Sequence, residues 1–245
     1  MRLIIIILMI PGLCYSQIAD TVCGVGIANI DTIITANIDT VYGVAWYRCG
    51  NSTITHGGVT YNIVQIGNQC WFKENLNYGS RINGSSSQTD NESAEKYCYS
   101  NTDGACTTYG GLYQWDEAMQ YVTTEGAQGL CPTGWHIPTD AEFTILTNFL
   151  EGEAEAGGKM KHAGTTYWWD PNTGADNSSG FTALPAGGFI PTATWHDIGY
   201  TAGFWTSSLN STMIYYRNLT YNSDDVLREN NGNKTHAVSI RCIKN

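Results

Sequence analysis

The residues best suited to chemistry lie in "TTYWWDPNTGADNSSGF", Thr165 to Phe181. Asp170, Asn172, Asp176 and Asn177 bring hard oxygens, of which a calcium ion takes about six to eight. Trp168 and Trp169 bring flat apolar faces that can stack on sugar rings. The same residues also suit a turn in which Asp and Asn side chains bond the nearby backbone while the tryptophans enter the core. The ligand spacing of an EF-hand loop, with its terminal Glu, is missing. The turn is preferred to a calcium site, so no cofactor is expected, and sugar stacking stays open as the use of the tryptophans.

Other chemistry is thinly signalled. H-E-x-x-H, G-x-S-x-G and a phosphate-binding Gly-rich loop do not occur. A carboxylate pair can hydrolyse a glycoside, but 22 acids offer many pairs and spacing in sequence does not choose one. Of the five histidines, His136 reads as a hydrogen-bonded structural residue, while His56, His162, His196 and His236 have no recognisable partner. No C-x-x-C pair supports a zinc site.

The elements that must position such residues belong to an exported chain. "MRLIIIILMIPGLCYSQ" has one charge at Arg2, an apolar run from Leu3 to Ile10 and small residues near Ser16. The run is far shorter than the roughly 20 residues that span a bilayer, so residues 1–16 read as a signal peptide cleaved before Gln17. A rival reading makes Cys14 a lipid-modified cysteine, against which Leu13 stands where a small residue is wanted. The chain carries a formal charge of −10, and loss of Arg2 makes it one unit more negative. Without a basic cluster, this argues against nucleic acid and against anionic membrane surfaces as partners. No other run is apolar and long enough for a transmembrane segment.

Of the eight cysteines, only Cys14 falls in the leader, and the others read as a disulfide framework. Cys98 and Cys106 enclose the turn-forming "YSNTDGA", so a local bridge is easy to close. Val238, Ile240 and Cys242 alternate on one face of a strand, and Cys131 is a suitable partner for Cys242. Cys49 and Cys70 flank a strand and hairpin and are expected to pair. Cys23 is then left over, for another chain or as a free thiol.

Residues 17–50 read as an extended N-terminal segment with a short "ANIDT" echo, and residues 51–245 as the domain. "VTYNIVQIGNQCWF" predicts a hairpin about Gly67-Asn68. The polar stretch 79–95 is expected to be loop. A first helix is expected over Leu112–Val122, with Trp115, Met119 and Val122 on one face. A second starts at Thr139 with Glu142 in capping-box relation, buries Phe143, Leu146 and Leu150, and closes at Gly152. Short strands follow in "GFTALPAGGF", "GFWTSS", "MIYYRNLTY", "DVLRE" and "AVSIRCI".

Six ordered blocks, "IGNQCWFKENLN", "YCYSNTDGACTTYGGLYQWDEAM", "CPTGWHIPTDAEFTIL", "SSGFTALPAGGF", "GFWTSS" and "SIRC", closely resemble the Fibrobacter succinogenes major paralogous domain of exported bacterial proteins. The resemblance spans roughly Val59 to Lys244. It implies an α+β, C-type-lectin-like fold: small twisted antiparallel sheets, two short helices and long disulfide-tied loops. Calcium-dependent lectins of that fold carry a Trp-Asn-Asp triplet where this chain has "WTSS" at Trp205, so those calcium ligands do not carry over, and Trp205 joins the candidate ligand-binding residues. The reactive cysteine pair of formylglycine-generating enzymes has only Cys242 to match it. The leader junction resembles those of Bacteroidetes, which implies a bacterial envelope or extracellular setting.

The expected function is a secreted or cell-surface, non-catalytic binding module for polysaccharide or a glycosylated partner. A structural or protein-interaction role with a cell-envelope protein is the alternative, and a glycoside hydrolase is third.

Overall fold

A computed structural model describes residues 49–245 apart from Asn51 and 191–193, together with four two-residue strands nearer the N-terminus. The chain divides into two compact units, 1–47 and 48–245. In the first, Thr21–Val22 pairs with Val25–Gly26, and Thr40–Val41 pairs with Val44–Ala45, both antiparallel. The expected leader, its junction at Gln17, Cys14 and Cys23 all lie outside the described residues.

In the second unit the strands are, in chain order, β1 (Thr53–His56), β2 (Val59–Ile66), β3 (Gln69–Phe72), β4 (Ser80–Arg81) and β5 (Glu95–Lys96). Then come β6 (Tyr113–Gln114), β7 (Trp135–His136), β8 (Gly188–Ile190), β9 (Thr194–His196) and β10 (Thr201–Asn210). The last are β11 (Met213–Thr220), β12 (Val226–Gly232), β13 (Ala237–Val238) and β14 (Ile243–Lys244). The helices are α1 (Asp103–Tyr109), α2 (Trp115–Ala118), α3 (Asp140–Phe149) and α4 (Glu153–Met160).

The expected hairpin is β2–β3, with Ile66 opposite Gln69. Gly67 takes φ 59° in its two-residue turn, a value such a turn needs at its first central position. Tyr61 and Ile63 face the core, while Thr60 and Asn62 face solvent. The sheet runs β7-β14-β3-β2-β1, so the C-terminal strand sits inside it. Two more sheets, β10-β11-β12 and β6-β13-β8-β9, are joined to this end of the chain by a bridge between Phe204 and Ser239. One small pair, β4–β5, is parallel, so the sheets are not all antiparallel as expected.

Cys49–Cys70, Cys98–Cys106 and Cys131–Cys242 are bonded as expected, with Cα separations of 5.6, 5.0 and 5.9 Å. The third closes the longest loop and holds the chain before β14 to the turn before β7.

The helices differ from expectation where long-range contacts intervene. Over 112–122 only Trp115–Ala118 is helical. Leu112 exchanges backbone hydrogen bonds with Tyr97, Tyr113–Gln114 pair with β13, and Gln120 and Tyr121 leave the helical region with φ of 51° and 59°. Val122 is consequently exposed rather than on the buried face. At α3 the capping box forms, and Phe143, Leu146 and Leu150 are buried. Gly152 lies two residues beyond the α3 cap at Leu150 and also begins α4.

Neither α1 nor α4 is foreseen. The segment expected as a turn inside Cys98–Cys106 contains a 3-10 turn and the start of α1. In α4, Gly157 and Gly158 disfavour a helix by propensity. Packing requires them: an added Cβ would lie 2.3 Å from the Asp225 carbonyl oxygen at Gly157 and 2.5 Å from that of Gly174 at Gly158.

The core has two large parts. Phe72, Trp115, Trp135 and Trp205 gather in one, and Trp71, Phe143, Trp168, Phe181 and Phe204 in the other. Arg241, placed by strand alternation opposite Ile240 and Cys242, is fully buried too. Its guanidinium donates to the Phe72 and Phe181 carbonyls and to Asn75 Oδ1, and lies 4.1 Å above the Phe181 ring.

Candidate binding surface

The loop singled out by its side chains joins α4 to the region before β8, and the structure divides its residues into two groups. Trp168 is buried, its indole N–H donating to the Ala183 carbonyl at 2.9 Å. Asn172 is also buried, its amide donating to the His162 and Gly164 carbonyls at 3.0 and 2.7 Å. Asp176 accepts from the Ser178 N–H at 2.8 Å, and Asn177 accepts from the Thr182 N–H at 2.9 Å. Three of the four oxygen-bearing side chains thus hold the loop's own backbone, while Asp170 is exposed. Among the described residues no group of three or more His, Cys, Asp or Glu side chains is placed to hold a metal ion.

Trp205 is buried, its indole N–H donating to the Tyr113 carbonyl at 2.7 Å, and part of it lines a cleft beside β10 and β11. The hydroxyls after it are spent inside the fold. Thr206 donates to the Tyr215 carbonyl at 2.6 Å, Ser207 to that of Pro138 at 3.3 Å, and Ser208 to the Glu125 carboxylate.

Trp169 is the exception among the candidate tryptophans, with 57% of its surface exposed. It stacks on Tyr200 with ring centres 4.7 Å apart and planes 24° apart, and Tyr200 meets Tyr221 edge to face at 5.1 Å. The backbone fixes this arrangement, since the Trp169 N–H donates to the Gly199 carbonyl at 2.9 Å. Gly199 has φ 82°, and a Cβ there would stand 2.4 Å from the Trp169 ring. A larger residue would push the indole away.

Lys161, which sequence reasoning missed, joins the segments that carry this platform. It is fully buried, and its Nζ donates to the carbonyls of Thr173, Thr220 and Ser223 at 2.9, 3.0 and 2.6 Å. All three N–H groups of the ammonium are used. Thr220 and Ser223 flank Tyr221, and the Thr173 N–H donates to the Tyr221 carbonyl at 2.9 Å. The cation therefore pins the loop that carries Trp169 to the turn that carries Tyr221. Burial pulls its pKa down to about 8, opposed by the nearby Asp224 charge. A lysine in "GGKMKH" has the look of an ordinary solvated residue; its only local signal is its place directly after a helix.

Two further ionisable groups are committed internally. Glu117 is buried, with its carboxylate accepting from the Glu95 N–H and the Tyr121 hydroxyl, each at 2.8 Å. Burial raises its pKa. His136 bonds Asn245 Oδ1 at 2.6 Å and the Glu142 carboxylate at 2.9 Å, in keeping with a structural role. Burial works against its protonation, but these bonds outweigh it and raise its pKa.

Fold and surface together define a disulfide-tied α+β domain that displays a small aromatic platform on a closely packed scaffold. The chain matches the family model described as Fibrobacter succinogenes major domain over residues 64–244, and it belongs to that family. No curated protein and no solved structure matches it significantly.

Proposed function

We propose that the domain is a non-catalytic binding module of a secreted or cell-surface protein, with polysaccharide or glycosylated partners as its ligands. The observation that carries this reading is the Trp169–Tyr200 stack: a large, half-exposed ring held still by its backbone offers a sugar face-on contact at small entropic cost. The fold is taken as C-type-lectin-like, with the platform loop in the place of a lectin's binding loops. The Asp176 and Asn177 oxygens are spent on nearby backbone N–H groups, so binding is expected to be independent of calcium. Export rests on the leader expected at residues 1–16 and on three disulfides, which oxidising compartments preserve.

The test is depletion of the disulfide-bonded chain by insoluble polysaccharides, with and without a chelator, alongside analysis of released sugar. Saturable, chelator-resistant depletion without release is expected. Trp169→Ala should weaken it by roughly 25-fold, about 2 kcal/mol for a central aromatic contact. Unchanged binding by that variant would remove the platform from the site, and released sugar would favour a hydrolase.

A second reading, contact with a cell-envelope protein, draws on Ile145 and Phe149, one helical turn apart on α3 and 55% and 61% exposed. Capture of an envelope protein that survives Trp169→Ala but is lost on Phe149→Ser would favour it; loss of capture with Trp169→Ala alone would count against it.

A further inference from the structure

A cleft of about 330 Å³ opens between β11, the end of β12 and the β8–β9 hairpin. Tyr216 and Asn218 reach it from the same side of β11, Asn231 from the end of β12, and His236 from just before β13. These four share one property. Among the described residues, the Tyr216 hydroxyl, the Asn218 and Asn231 amides and the His236 ring make no hydrogen bond within the protein. All four line one opening.

The charge of the opening restricts what it can hold. No lysine or arginine lines it, and its one carboxylate, Asp197, accepts from His196 Nδ1 at 2.8 Å. Burial and the neighbouring His196 both lower the His236 pKa, which favours its neutral ring. A phosphate or sulfate would meet no fixed cation here, and an ammonium would meet an acid already engaged. Asn amides each donate and accept, as do neutral imidazole and phenol, which is the pattern that neighbouring hydroxyl groups satisfy. Gly187, Gly203 and Gly232 also line the cleft with backbone. The volume is near the lower end for ligand pockets, enough for a single ring.

We propose that this cleft is a second ligand site, for a neutral polyhydroxylated ring such as one hexopyranose unit, read by Tyr216, Asn218, Asn231 and His236. It shares no residue with the Trp169–Tyr200 stack and stands or falls separately from it. The loop Asp197–Thr201 connects the two: Asp197 and Thr201 line the cleft, while Gly199 and Tyr200 support Trp169.

The test is an NMR titration of the disulfide-bonded chain with methyl glucoside, methyl mannoside and methyl galactoside, following the side-chain amides of Asn218 and Asn231 and the His236 ring. At least one glycoside should shift all three groups saturably. The affinity should fall tenfold or more in an Asn218→Ala, Asn231→Ala double variant and stay within twofold in Val122→Ser, a change at an exposed residue outside both surfaces. Absence of shifts with all three glycosides would overturn the proposal. Shifts confined to Trp169 and Tyr200 would also overturn it while leaving the platform intact, and tighter binding of methyl glucuronide or inorganic sulfate would refute the neutral class. The wild-type titration decides these points even if the double variant fails to fold.

Discussion

Replacing Lys161 by methionine tests whether a buried cation holds the platform. Methionine keeps most of the apolar stem but removes three N–H groups, leaving the carbonyls of Thr173, Thr220 and Ser223 without that partner. Unpaired buried polar groups cost about 1–3 kcal/mol each. Against this, the fold no longer has to strip water from an ammonium, a saving of several kcal/mol even after relaxation. A net loss of about 3 kcal/mol is expected, which for a domain of this size is roughly 6–12 °C in Tm. Urea unfolding with the disulfides intact measures the first figure and calorimetry the second. A sharper readout is local: Lys161→Ala leaves room for a small amine, so methylammonium should restore the near-UV signal of the Trp169–Tyr200 stack, and calcium should not. A loss below 1 kcal/mol, or a gain, would refute the clamp, and restoration by calcium would show that the cage selects a metal rather than three donors.

Two further outcomes follow from ion pairs at α3. Asp140 accepts from Arg217 at 2.7 Å and from Arg228 at 2.7 Å, and although burial opposes its ionisation, the two guanidinium groups lower its pKa. Arg217 is fully buried, so Asp140→Asn should cost about 3–5 kcal/mol by leaving it without a counter-charge; a loss within 1 kcal/mol in urea would contradict this. The His136–Glu142 pair should give a pH-dependent increment of about 1 kcal/mol. Its His pKa is raised, so that part is fully present below pH 6.5 and is lost as pH rises through the folded value. The Glu142 pKa is lowered, despite burial, by bonds to His136 and Thr139, so that part is present above pH 4.5 and lost as pH falls through the folded value. The stability difference between wild type and His136→Gln should therefore peak between pH 4.5 and 6.5, and a flat difference from pH 3 to 9 would exclude the linkage.

Much of the scaffold was legible because its signals are local. Alternation and a Gly-Asn turn identify β2–β3, and the Thr139–Glu142 spacing identifies the start of α3. Cysteine placement relative to a turn, a hairpin and a strand was enough for all three disulfides. The elements misjudged were those whose local preference is overruled at a distance. The 112–122 helix yields to pairing with Tyr97 and β13, and α4 forms through two glycines because neighbouring backbone comes too close for a Cβ.

The binding surface was less legible, for a related reason. Residue types alone marked the Thr165–Phe181 loop, but Trp168 and Trp169 are identical neighbours in an irregular segment where no period assigns a face. Only the packing sends the first to the Ala183 carbonyl and leaves the second on Tyr200 in solvent. Lys161, Arg241 and the cleft of Asn218, Asn231 and His236 depend on partners far away along the chain, which spacing does not encode. The sequence by itself determined the family, the disulfide pairs and the local turns and caps, since each is specified within a short stretch or an ordered set of motifs. The tertiary structure alone decided which aromatic rings face water, which cations are buried and which polar groups are left unspent, because exposure is a property of the partners that long-range packing supplies.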